Sequence, residues 1–142
     1  MSWKAPFCMN GITVNSVILP LSGVHEYQSL DAWKHAHAAV LTTLRATDPI
    51  APRQRAIFDQ LRRAVVSIEA NVVEGYALGT APQFRRQLRI ALGSAAESAC
   101  LVRMARELEY LDGERATAVQ QSLTNTIGCL VGLIKVGVAH RR

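Results

Sequence analysis

The run Gln60–Gly75 limits what this chain can fold into more than any other stretch. Ile57, Leu61, Ala64, Val65, Ile68 and Val72 recur at three- and four-residue steps, which places them on one face of an α-helix. Val66, Ala70, Val73 and Ala77 form a second apolar strip on the opposite side. Arg63, Ser67, Asn71 and Glu74 make a polar seam between the two. A surface helix needs one apolar face, and a helix with two must be covered twice. The first face is expected to line a core. The strip Val66, Ala70 and Val73 is expected to form an oligomer interface, because a monomeric bundle would leave it in water.

Around this helix the rest of the chain reads as three more. The first is expected from about Ser29 to Thr47, with Leu30, Trp33, His37, Val40, Leu41 and Leu44 on its inner face and Pro49 and Pro52 closing it. The second extends from about Arg53 to Ala77, with Gly75 and Gly79 marking its end. The third runs from about Pro82 to Leu111, with Phe84, Leu88, Ala91, Leu92, Ala95, Ala99 and Val102 inward. After the turn at Asp112-Gly113, the fourth runs from about Glu114 to Ala139 on Ala116, Val119, Leu123, Ile127, Leu130, Ile134 and Val138. Four helices with short connections predict an all-α, antiparallel up-down-up-down four-helix bundle over residues 29–139. Residues 1–28 differ in character: Trp3, Phe7, Asn10-Gly11 and the run Ile12–Leu19 suggest an irregular N-terminal arm with at most one short strand.

Hydrophobic residues make up 49% of the chain and charged residues 19%, a globular rather than a disordered balance. The formal net charge is +5, and thirteen of the sixteen basic residues are arginine, the cation best shaped for planar contact with phosphate or carboxylate. Cys8, Cys100 and Cys129 are odd in number and widely spaced, so they predict free thiols in a cytoplasmic setting, with Cys100 and Cys129 buried. No apolar run is long enough to cross a membrane, and a secretory signal is not expected.

The arginines are the strongest functional signal. Arg53, Arg55 and Arg62 gather at the start of the second helix, and Arg85, Arg86 and Arg89 at the start of the third, with Arg103 on the same stripe as Arg85 and Arg89. They are candidate nucleic-acid contacts, through phosphate rather than bases, since stacking aromatics are scarce nearby. The plainer alternative is a solvated basic surface. Arg63, Ser67, Asn71, Glu74 and Glu97 are candidates for a structural polar network, with Glu97 expected to be buried against Arg63. The small residues Gly93–Ala96 suggest close helix packing. His35 and His37 point to different faces, and no Glu-x-x-His motif occurs, so neither a metal, another cofactor nor a catalytic constellation is expected.

Three segments, in order, resemble the four helix bundle protein family, also called the 23S rRNA intervening-sequence-encoded proteins: Leu30–Ala36, Gln60–Gly75 and Leu88–Glu97. Glu69 stands where that family usually has proline. The resemblance implies a cytoplasmic bundle that assembles into a homopentamer. The family is similar to the accessory variability determinant protein of diversity-generating retroelements, a basic pentamer that works with a reverse transcriptase and nucleic acid. The partners thereby implied are other copies of the chain, RNA or DNA, and a reverse transcriptase or other protein, with no membrane. An oligomeric protein-binding scaffold without nucleic acid is the alternative.

Overall fold

The computed structural model describes residues 26–139, and among them it contains four α-helices and no strand. They are α1 (Asp31–Ala46), α2 (Arg55–Ala77), α3 (Ala81–Glu107) and α4 (Gly113–Ala139). Short 3-10 turns at Glu26–Ser29 and Pro52–Gln54 precede α1 and α2. Most of the expected arm, residues 1–25, lies outside the described residues; its last part is the first of these turns.

The helix ends follow local chemistry. α2 stops at Ala77, and Gly79 two residues later takes a φ of 72°, the left-handed position that closes many helices. α3 starts after Thr80, whose hydroxyl accepts the Gln83 amide at 3.4 Å, with Pro82 in the first turn. It ends at Glu107, short of the expected Leu111, because Glu109 adopts a φ of 58° and the Tyr110 amide turns back to the Ala105 carbonyl at 2.8 Å. Asp112 then opens α4, its carboxylate accepting the Arg115 amide at 2.8 Å.

α2 packs on α1 and α3, and α4 packs on the same two helices from the other side. Paired side chains give directions. Gln60 meets Glu97, Ser67 meets Ser94 and Glu74 meets Gln87, so α2 and α3 run antiparallel. Arg62 meets Thr47 and His37 meets Glu69, so α1 and α2 do too. Phe58, Leu61, Val65, Ile68 and Val72 of α2 fill the centre with Leu88 and Val102 of α3 and Val119, Leu123 and Leu130 of α4.

One expected face shifts. The buried side of α1 is Ala32, Ala36, Ala39, Val40, Thr43 and Ala46, while Leu41 is exposed and Trp33, His37 and Leu44 sit on its flank. Small side chains let α1 approach the core closely, which leaves no room for a leucine row there. On α3 the expected face does turn inward, with Leu88, Ala91, Ala95 and Val102 buried and Leu101 beside them, whereas Ile90, Met104 and Leu108 are exposed. Cys129 is buried as expected, but Cys100 is exposed; neither forms a disulfide among the described residues.

Gly75 does not end α2 but lies within it, at the closest approach to α3. A Cβ there would stand 2.8 Å from the Gln87 Cβ and 3.1 Å from a ring carbon of Phe84. Gly75→Ala would gain about 1 kcal/mol of helix propensity. The crowding costs more, since the Gln87 Cβ is fixed to its own backbone. We predict a net loss of about 1–2 kcal/mol, read by urea unfolding. An alanine variant as stable as the parent would show that the two helices can move apart at no cost.

Candidate functional site

The predicted arginines divide between the two ends of the α2–α3 pair. At the start of α2, Gln54 donates to the Tyr110 carbonyl at 3.3 Å and the Arg53 guanidinium lies 5.8 Å from the Tyr110 ring centroid. The start of α2 is therefore held against the α3–α4 turn. Arg53 and Arg55 are exposed there. The Gln87–Glu74 bond, 3.0 Å, sets the start of α3 beside the end of α2, and Arg86 and Arg89 are exposed at this other end. By the rise of a helix, 1.5 Å per residue, the two groups stand roughly 30 Å apart. Neither helix has an acidic residue in its first turn. Arg85 is half-buried and engaged in a contact of its own.

Two more of the seven are committed elsewhere. Arg62 is not a surface cation but a cap on α1. Its Nε donates to the Thr47 hydroxyl at 2.9 Å, and its Nη2 to the Thr47 and Leu44 carbonyls at 3.2 and 3.3 Å. The last carbonyls of a helix have no partner inside it, and a cation placed there also answers the negative end of the dipole. Asp48, 3.6 Å away, takes up more of its charge. Arg103 is exposed but paired with Glu107 at 2.8 Å, and that hydrogen bond and charge raise its pKa further.

Sequence reasoning missed Arg45 and Arg106. Arg45 ends α1 and Arg106 ends α3, so both join Arg53 and Arg55 at one end of the bundle. All four are exposed and none has a carboxylate within ion-pair distance among the described residues. The carboxylates nearby are largely taken: Asp48 by Arg62, Glu107 by Arg103 and Asp112 by Arg115. Asp59, Glu109 and Glu114 still oppose the cations of this end. Its signal in the sequence was only the placement of arginine in the last turns of two helices.

The polar seam lies along the α2–α3 contact as three separate pieces. Arg63 donates to Gln60 at 2.9 Å, and Gln60 donates to Glu97. Asn71 donates to the Ser67 carbonyl at 2.7 Å, and the Ser67 and Ser94 hydroxyls meet at 3.0 Å. Gln87 reaches Glu74. Glu97 is exposed and Gln60 stands between it and Arg63, so the expected buried Arg63–Glu97 pair is not formed. The buried position is the next residue, Ser98, about 100° around the helix, and the register is set by Ser94 and Gln87. Of Gly93–Ala96, Ser94 and Ala95 face neighbours, whereas a Cβ on Gly93 would meet nothing within 4 Å.

On the α1–α2 side, His37 stacks on Trp33, with ring centroids 4.8 Å apart, and its Nδ1 lies 3.1 Å from the Glu69 carboxylate. Glu69, in the position where proline is usual, thus ties α2 to α1. Burial first, then the charge and hydrogen bond of Glu26, push the Tyr76 phenol above its usual 10.0. Among the described residues no three His, Cys, Asp or Glu side chains gather to hold a metal, and no helix is long and apolar enough to cross a membrane.

Four α-helices packed on one another, with no strand among the described residues, make this an all-α helical bundle. The sequence pattern of the 23S rRNA-intervening sequence protein family matches residues 28–132, and the chain belongs to that family. Its fold is similar to the crystal structure of a protein of unknown function of the S23 ribosomal protein family from Bacteroides thetaiotaomicron VPI-5482. The two are 21% identical with a TM-score of 0.68, over 73% of this chain and 95% of the other. No protein with a curated description matches.

Two stability measurements check these placements. Arg62→Ala removes three hydrogen bonds from a charged donor at the end of α1 and should cost about 2 kcal/mol in urea unfolding. Glu97→Ala should stay within about 0.5 kcal/mol of the parent, as for other surface positions. A large loss at Glu97, or none at Arg62, would reverse the assignments of the two residues.

Proposed function

We propose that the chain is a non-enzymatic, self-associating bundle that binds nucleic acid through its exposed arginines, acting in the cytoplasm. The observation that carries this reading is the group Arg45, Arg53, Arg55 and Arg106, exposed and without carboxylate partners at one end, with Arg86 and Arg89 at the other. Guanidinium groups left open in this way suit phosphate oxygens, and the absence of base-stacking aromatics beside most of them favours backbone contact over sequence reading. Other copies of the chain are the proposed cover for the outer strip of α2, on which Val66 is 47% exposed, Ala70 is exposed and Val73 half-buried. A closed ring of five follows the family resemblance. Ile90, Met104 and Leu108, exposed on α3, favour a second reading, a scaffold for a protein partner such as a reverse transcriptase.

Fluorescence anisotropy with labelled RNA and DNA tests the binding. Affinity should fall steeply with salt and depend little on sequence. Arg53→Ala and Arg55→Ala should each lower the salt slope by about one unit per subunit engaged. Protein that ignores both nucleic acids at low salt leaves the scaffold reading in place. Light scattering tests the assembly separately: the parent should exceed monomer mass at micromolar concentration and Val66→Asp should not. A monomeric parent would remove the interface assigned to Val66, Ala70 and Val73.

A further inference from the structure

We infer that the cleft between the end of α3 and the start of α4 seats one nucleotide unit of a single strand, a step that rests on the nucleic-acid reading above. The cleft measures about 550 Å³ and lies between Ala99, Val102 and Arg106 on α3 and Ala116 and Gln120 on α4. That volume is within the range of small-ligand sites, about 300–1,000 Å³. Alanine at Ala99, half-buried on the lining, leaves open a space that a longer side chain would enter.

The lining fits the parts of a nucleotide. Ala99 is the half-buried, accessible part of an apolar floor, with Val102 and Ala116 buried beneath it, and a planar base can lie against it with its polar edge toward the rim. On the rim, Arg103 is held by Glu107 at 2.8 Å, which neutralises the cleft's carboxylate. Arg106 has no such partner among the described residues and is open to a phosphate. The side-chain amide of Gln120 makes no hydrogen bond among the described residues, so both its donor and its acceptor are available to a base edge. Tyr110, just beyond Arg106, packs beneath Arg53, so the cleft adjoins the basic end and a strand entering it stays on cations. In a duplex the bases are stacked and paired and cannot enter; a single strand offers them freely.

The test compares a labelled oligouridylate of about twenty nucleotides with a duplex of equal length. The proteins are the parent, Ala99→Leu, Arg106→Gln and Gln120→Ala. Ala99→Leu fills the floor and should weaken single-strand binding about tenfold, with duplex binding within about twofold of the parent. Circular dichroism establishes that the variant is folded; should Ala99→Leu not fold, Gln120→Ala, at an exposed position, decides by the same comparison. Arg106→Gln should weaken both ligands, the single strand more. Folded variants that hold the single strand like the parent, or lose both ligands equally, overturn the cleft while leaving the arginine surface standing. A parent that binds neither ligand overturns the broader reading and the cleft with it.

Discussion

At Gly75 the backbone of α2 comes so near to α3 that the Gln87 side chain occupies the space a Cβ would need. That contact fixes the height of one helix against the other. With Gln87 at Gly75 and its amide on Glu74, the antiparallel run carries Ser94 to Ser67 and Glu97 to Gln60. The same register sends Arg86 and Arg89 to one end and Arg53 and Arg55 to the other. A slip of one residue on α3 would rotate it by about 100° and turn its small and polar residues out of the seam. The positions of the exposed cations thus depend on a packing constraint far from any of them.

Much of the helix layout was legible because leucine, isoleucine and valine recur at helical spacing, and residues with two apolar sides such as α2 leave an obvious demand for cover. What escaped did so for definite reasons. On α1 the inward residues are mostly alanine, which contributes little to any hydrophobic pattern, so Leu41 and Leu44 drew the expected face toward themselves. Gly75 reads as a helix stop in a sequence, since nothing local distinguishes a glycine that ends a helix from one that admits a neighbour. Arg62 reads as a surface charge until the end of α1 is known to lie beside it. Arg45 and Arg106 are distant in the chain and become one group only when α1, α2 and α3 are assembled. The cleft has no sequence signature at all, because its lining residues come together only when α3 and α4 pack.

The division among arginines follows from what each helix end leaves unsatisfied. Arg62 meets open carbonyls, and Arg103 and Arg115 meet carboxylates one turn or less away along the chain. Such exposed i,i+3 and i,i+4 pairs contribute little to stability, but they remove charge from the field that an approaching polyanion feels. The exposed arginines that remain, Arg45, Arg53, Arg55, Arg86, Arg89 and Arg106, form no ion pair among the described residues, although Asp59 and Glu109 stand one turn from Arg55 and Arg106 along the chain. Ion pairing, more than the number of basic residues, therefore decides which part of a chain with a net charge of +5 can attract phosphate.

Distance then limits what those cations can do together. The two basic ends lie roughly 30 Å apart, whereas at physiological salt the field of an exposed charge fades over about 8 Å. Under the proposed nucleic-acid binding, the two ends of one subunit would act as separate weak sites. Under the proposed assembly, with the outer face of α2 covered by a neighbour, like ends of successive copies would come side by side, and separations within an end are far shorter than along a bundle. Arginines that are too sparse to hold a strand in one copy would then form a continuous rim. Affinity would rise with subunit number through effective concentration rather than through new contacts. The apolar strip and the arginines, which look unrelated along the sequence, would in that case serve one property, and weakening the first should weaken nucleic-acid binding without touching a single cation.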